Sequence, residues 1–363
     1  MNTLNELIRY CREDHHLGAL LLTGEWGCGK THLIDQELAE ALRSTHFIVR
    51  VSFLGIDSID ALNAAVRKQY LAVCTPFLGK LSKGIKSGSS FINALSKTFS
   101  ILSPVQGGIA SAFIAVDPLE YVPLEPVVED HHDKKAKKKV VLVFDDLNRS
   151  QIDWGKFVGT INEYCENKGF ATIVIGDLEV RQSPTKFDVM LYKLVKEKTF
   201  ARTVRYIPDY PEVISQIVEK TEWPSQEYAD FLTESVPLIT EVFCGGTPDR
   251  KSNVRKYHNL RSLKSALYAF YRLYAFLSEN QVSEISRFLY SFIVYMMISR
   301  NGISRDGEPD FEYTEEEIRQ LYPEYSTDYL PESLMDWIEE GITDEDRIKK
   351  DLSRWLAHDP NEA

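Results

Sequence analysis

The alternation of apolar and polar positions divides the chain near its middle. The first half carries short apolar runs bounded by glycine and polar residues: Ala19-Leu20-Leu21-Leu22, Phe47-Ile48-Val49-Arg50-Val51, Val140-Val141-Leu142-Val143-Phe144 and Ala171-Thr172-Ile173-Val174-Ile175. Continuous runs of this length and β-branched content predict strands buried on both faces of a parallel sheet. Between them lie helix-period segments: an opening helix from the N-terminus, one beginning at Lys30, one over Ile59 to Tyr70 and one over Trp154 to Glu166. Strand, helix, strand in repetition predicts a mostly parallel sheet with right-handed crossovers, an α/β domain. A last core strand is expected at Thr203 to Ile207, closed by Pro208 and Pro211.

Beyond Pro211 the period becomes helical, through Val213, Ile214, Ile217 and Val218, and again through Leu263, Leu267, Phe270, Tyr271, Tyr274 and Leu277. That predicts an all-helical second half, with the aromatic stripe serving as packed core rather than as a stacking platform for bases. The expected divisions are an α/β domain over 1–210, a helical domain over 211–305 and an acidic helical segment over 306–363.

From Gly79 to about Pro126 the chain turns rich in serine, glycine and small apolar residues, as expected of an insertion between core elements. Residues 98–116 carry no charge, yet Pro104, Gln106 and Gly107-Gly108 make them a poor hydrocarbon-facing helix, so membrane contact there is not favoured. The apolar run Phe288 to Ile298 is too short to span and reads as a buried helix. The basic run Lys137-Lys138-Lys139, preceded by His131-His132-Asp133-Lys134-Lys135, reads as a solvated loop ahead of a buried strand, with a contact for anionic partners as the alternative. Adjacent histidines lack the spacing that converges ligands on a metal.

Composition narrows the classes. The 363 residues carry 42 Lys and Arg against 54 Asp and Glu, a net charge of -12, which argues against coating nucleic acid by bulk electrostatics. Cys11, Cys28, Cys74, Cys165 and Cys244 are scattered and odd in number, indicating neither a disulfide framework nor a zinc site; a reducing, cytoplasmic compartment is expected. The N-terminus lacks the apolar stretch of a secretory signal.

The chemistry concentrates in two places. Gly24-Glu25-Trp26-Gly27-Cys28-Gly29-Lys30-Thr31 fits G-x-x-x-x-G-K-[ST] between a strand and a helix, with His32 following. Such a loop turns backbone N–H groups inward onto phosphates and adds the positive end of the helix; Lys30 is expected on the β- and γ-phosphates and the Thr31 hydroxyl on Mg2+. Cys28 stands at a variable position of the loop. The strand Val140 to Phe144 then delivers Asp145-Asp146, with Asp145 expected to hold the metal and Asp146 to orient or deprotonate the attacking water. The cofactors expected are ATP and Mg2+, and the expected activity is a slow or activator-dependent ATPase.

These segments, together with Val51-Ser52-Phe53-Leu54-Gly55-Ile56 and Phe144-Asp145-Asp146-Leu147-Asn148-Arg149, resemble the KAP family of P-loop NTPases, within the STAND and AAA+-like class, over roughly residues 1 to 265. Asn148 departs from the family's usual Asp-Asp-Leu-Asp-Arg. The resemblance implies an insertion between the two motifs, where residues 79–126 fall. It also implies a helical lid in which Asn259-Leu260-Arg261 corresponds to an Asn-x-Arg element whose arginine reads the γ-phosphate. It further implies an activating arginine from a neighbouring subunit, for which Arg202 is the choice and Arg149 and Arg205 are rivals; Asp177 is a weak candidate for a polar sensor. A homo-oligomer or a separate effector chain would be the partner, and a nucleotide-dependent switch in bacterial antiphage defence or signalling the role. The rival readings are a nucleic-acid-stimulated AAA+ ATPase, which the acidic balance disfavours, a small-molecule kinase, and a nucleotide-binding scaffold that never hydrolyses.

Overall fold

The computed structural model describes residues 2–74, 123–130, 136–149, 151–176, 198–244, 258–301, 318–319, 322–340 and 344–357. The inserted stretch is therefore described only at 123–126, and the uncharged residues 98–116, His131, His132 and Asp177 lie outside the described residues. The chain falls into two compact units, one of Met1–Gly24 with Lys30–Tyr206, the other of Glu25–Gly29 with Ile207–Ala363.

The first unit is built on a six-stranded sheet: β1 (Ala19–Thr23), β2 (His46–Ser52), β3 (Val127–Glu129), β4 (Lys137–Asp145), β5 (Ala171–Ile175) and β6 (Phe200–Arg205). Five strands run parallel in the order β2-β4-β5-β1-β6, and β3 pairs antiparallel with the start of β4. The double-faced burial expected from the apolar runs is present. Val140, Leu142 and Phe144 face one side of the sheet with Ala19, Leu21 and Val49. Val141 and Val143 face the other with Leu20, Leu22 and Ile173. Each side is closed by helices because a strand buried on both faces needs a cover on each. On the first side α4 (Ile59–Cys74) and α5 (Trp154–Asn162) bring Val66, Tyr70, Phe157 and Ile161. On the second, α1 (Thr3–Arg12) brings Leu7 and Tyr10, and the stretch from Lys30 brings Leu33, Ile34, Leu38 and Leu42. Tyr10 ties the second layer to the sheet: its hydroxyl donates to the carbonyls of Gly18 and Thr172 and accepts from Thr172 N–H.

Two expectations are corrected, and one helix is more broken than a single run. The last strand begins at Phe200, three residues earlier than read, because Phe200 is buried at the sheet while Ile207 is 67% exposed. The helical pattern read from Lys30 is present as α2 (Lys30–His32), continued by a π-helical stretch Leu33–Leu38 and α3 (Ala39–Leu42). The triplet Lys137-Lys138-Lys139 is no solvated loop: it opens β4 and pairs with β3. Lys138, 8% exposed, forms an ion pair of 3.0 Å with buried Asp130 and donates to the Arg43 carbonyl, and Lys139 meets Asp14 at 2.7 Å. The chain itself uses those charges.

The second unit is helical beyond Ile207: α6 (Tyr210–Lys220), α7 (Gln226–Glu234), α8 (Val236–Cys244), α9 (Leu260–Glu279), α10 (Ile285–Asn301), α11 (Glu332–Glu340) and α12 (Glu345–Ala357). Asp209, Ser225 and Asn259 cap α6, α7 and α9 by accepting N–H bonds from the first turn. The aromatic stripe of α9 is core: Leu263, Leu267, Phe270 and Leu277 are buried, and Tyr271 and Tyr274 pack on Tyr228, whose hydroxyl donates to the Leu267 carbonyl. Phe288, Leu289, Phe292 and Ile293 of α10 complete that core. No helix among the described residues is long and apolar enough to cross a membrane.

Candidate nucleotide site

Parallel strands align their C-terminal ends, and ligands of open α/β sheets gather at that edge. Register places both motifs there. Leu22 of β1 is level with Ile175 of β5, and Val174 of β5 is level with Phe144 of β4, so Thr23 and Asp145 end their strands at nearly the same height. They are not neighbours: β5 stands between, so their backbones are about two strand spacings, roughly 10 Å, apart.

The helix after the P-loop bridges that gap. Thr31 Oγ1 donates to Asp145 Oδ2 at 2.9 Å, and Lys30 Nζ donates to the Gly24 carbonyl at 2.7 Å. Gly24, Gly27 and Gly29 adopt φ of 153°, 76° and 96°, a path side chains resist. Cys28 is 1% exposed, whereas Trp26 is 51% exposed and His32 is exposed.

Asp145 is itself only 4% exposed, and its carboxylate is surrounded by donors. Oδ1 accepts from Asp146 N–H at 2.8 Å, while Oδ2 accepts from Thr31 and from Arg50 Nη1 at 3.2 Å. Arg50 belongs to β2, and its Nε also meets Asp35 Oδ1 at 3.0 Å. Asp146 follows with φ of 60°, left-handed backbone that a non-glycine residue adopts at a cost of about 1 kcal/mol or more. Its Oδ2 accepts from Ser52 Oγ at 2.8 Å, and Ser52 Oγ in turn accepts from Leu54 N–H. Ser52 is level with Asp145 in the β2–β4 pairing, and Phe53 N–H donates to the Asp145 carbonyl. Arg50 and Ser52 were not singled out in the sequence. Their signal is positional only, two residues apart on one face of the strand beside Asp145.

The donor set suits a hard divalent cation. A threonine hydroxyl and a carboxylate converge within hydrogen-bond distance, and oxygen ligands of this kind hold Mg2+ beside substrate phosphates. Thr31 and Asp145 are the residues that would hold it. Among the described residues no cluster of three or more His, Cys, Asp or Glu forms a metal site.

Residues Glu25–Gly29, grouped with the second unit, are anchored to the chain leading into α9. Glu25 Oε2 accepts from His258 N–H at 3.3 Å and lies 2.9 Å from His258 Nδ1. The Gly27 carbonyl accepts from Leu260 N–H at 3.1 Å. Asn259, whose Oδ1 caps α9 by accepting from Arg261 and Ser262 N–H, lies so close to Gly27 that a Cβ there would fall 2.1 Å from that oxygen. His258 stacks on Tyr210 with centroids 4.8 Å apart. Arg261 is exposed in the first turn of α9.

The other arginines separate by register. Arg202 lies inside β6, level with Leu20 and three residues short of the edge, and its Nη2 donates to Glu13 at 2.6 Å. Arg205 is level with Thr23. Arg149 is exposed, in the short helical turn Leu147–Arg149 after Asp146.

With a glycine loop on a parallel-sheet edge and a carboxylate joined to it across an intervening strand, comparison with protein families is decisive for the first unit. Residues 1–180 match the KAP family P-loop domain. The KAP match ends well short of residue 265, so Asn259-Leu260-Arg261 lies outside it. Among curated proteins, none matches the chain. Residues 1–180 therefore carry a P-loop domain of the KAP family, a domain of nucleotide-binding NTPases.

Proposed function

We propose that the chain is an ATP-dependent conformational switch that hydrolyses its nucleotide slowly. The observation that carries this reading is the hydrogen bond from Thr31 to Asp145, which joins the P-loop to the strand-end carboxylate over β5. Lys30 would stabilise the β- and γ-phosphates, and loop N–H groups would hold the rest of the chain of phosphates. Thr31 and Asp145 would hold Mg2+, which would supply charge neutralisation on the phosphate oxygens. Asp146, aimed by Ser52, accepts a proton from the attacking water or orients it. An Asp at that place is one methylene shorter than the Glu many related ATPases use, which favours slow turnover suited to a timer.

Within the second unit Glu25 and Gly27 bond to His258 and Leu260, the latter one residue before Arg261. Arg261 would report the γ-phosphate to α9. For an activating arginine from a second copy, Arg205 and Arg149 have the better position at the sheet edge, while Arg202 would first have to leave Glu13. A partner chain carrying an effector, and a role in bacterial defence or signalling, belong to this reading by analogy with the family.

The test is phosphate release from ATP and Mg2+ by the native chain and by Lys30→Ala across protein concentration. Turnover that rises with concentration and disappears in the variant is expected. Turnover retained by Lys30→Ala would remove the P-loop from the reaction.

A further inference from the structure

A carboxylate as enclosed as Asp145 is costly to hold away from water unless it is paired and hydrogen-bonded. The positive partner of Asp145 is Arg50. Its guanidinium spans two carboxylates, Nη1 on Asp145 Oδ2 at 3.2 Å and Nε on Asp35 Oδ1 at 3.0 Å. Asp145 Oδ2 is the same oxygen that accepts from Thr31, so the cation-holding pair and the arginine meet at one atom. Alternation on β2 explains how it gets there. Val49 and Val51 point into one core of the sheet, which turns Arg50 and Ser52 to the other side, where the helical stretch after the P-loop passes. Asp35 lies four residues beyond Thr31 on that stretch, inside its π-helical part.

We propose that Arg50 is a positioning residue that stands in for the metal's charge at Asp145 and that Asp35 draws it away when a divalent cation arrives. Two carboxylates share one guanidinium, so Arg50 has somewhere to go. A cation at Thr31 and Asp145 repels Arg50 through like charge, and Asp35 keeps the displaced guanidinium paired. The divalent-ion requirement of the site is thereby set by four residues, of which only Thr31 and Asp145 would be metal ligands.

This inference rests on the reading of Thr31 and Asp145 as the metal pair, and its signature is a pair of effects of opposite sign. Arg50→Gln removes the competitor and should tighten divalent-ion binding; Asp35→Asn leaves Arg50 to Asp145 alone and should weaken it. Each shift is expected to be about three- to tenfold, the net scale of one ordinary hydrogen bond. The measurement is Mn2+ binding to the full chain with a non-hydrolysable ATP analogue, followed by the electron-spin-resonance signal of free Mn2+, so that no turnover is needed. Without any metal, Arg50→Gln should also melt at a lower temperature than the native chain, and Arg50→Lys should recover part of that loss. Native chain that binds no Mn2+ with the analogue would overturn both the metal site and this inference. Native binding with both variants shifted in the same direction, or neither shifted, would overturn the role of Arg50 alone. Should Arg50→Gln fail to fold, Asp35→Asn and Arg50→Lys carry the same comparison.

Discussion

Ser52 Oγ lies 2.8 Å from Asp146 Oδ2, so a hydroxyl on β2 fixes the direction of a carboxylate that follows β4. The relationship is a consequence of parallel register, Ser52 being level with Asp145, and of the left-handed backbone that turns Asp146 out of the strand line. Ser52→Ala should lower steady-state phosphate release about tenfold, the value of one hydrogen bond to a charged group, while affinity for a non-hydrolysable ATP analogue stays within about twofold. Asp146→Asn keeps a side chain that tolerates φ of 60° and should fold normally yet lose turnover. An unchanged rate in Asp146→Asn would show that another group handles the water.

The contact of Asn259 with Gly27 yields a test of the loop's anchoring. Gly27→Ala places a methyl against Asn259 Oδ1 and forces a side chain onto φ of 76°. Asn259→Ala removes the cap of α9, a loss of about 1 kcal/mol. Each variant should lower the melting temperature of the full chain by ~2–4 °C. The double variant should lose less than the sum, because removing Asn259 makes room for the methyl. Strict additivity would mean that the clash is relieved some other way.

Lys138 and Asp130, each 8% exposed, give a stability prediction far from the nucleotide. Asp130→Ala strands the Lys138 ammonium inside the protein and should destabilise the chain by about 3 kcal/mol. Replacing the pair together, Asp130→Leu with Lys138→Met, should cost under half as much, since no unpaired charge remains. Chemical-denaturation midpoints of the two variants decide between a stabilising pair and an inert one.

Burial predicts alkaline sensitivity. The thiols of Cys11 and Cys74 are pushed up to about 12 and that of Cys165 to about 11, in each case first by desolvation, from an ordinary value of 9.0. The folded state therefore holds protons that the unfolded chain releases. Their stabilising contribution is complete below about pH 9 and is lost as pH rises toward 11 and 12. Melting temperature should accordingly decline across that window, and Cys11→Ala should flatten the decline. An identical slope in the variant would assign the loss elsewhere.

Much of this was legible before any coordinates. Apolar runs such as Val140 to Phe144 can satisfy neither solvent nor one-sided burial, so a two-faced sheet followed, and a P-loop has little freedom in where it sits. What stayed hidden shares one physical cause, a long side chain whose partner is distant in sequence. Lys138 looks solvated until Asp130 is seen beside it. Arg50 interrupts an apolar strand without explanation until Asp35 and Asp145 close around it. Ser52 is unremarkable except by register. The last strand was read three residues late because charge and alternation in Phe200-Ala201-Arg202 disguise an edge strand that buries one face only.

β5 contributes no chemical group to the site, yet it sets how far Thr31 must reach to touch Asp145. It functions as a shim. Its two backbone ladders, one to β1 and one to β4, fix the width of that gap, while Val174 points to one face of the sheet and Ile173 and Ile175 to the other. Trimming those apolar residues would loosen the helices that cover the sheet, while the spacing that Thr31 bridges, held by backbone alone, would persist.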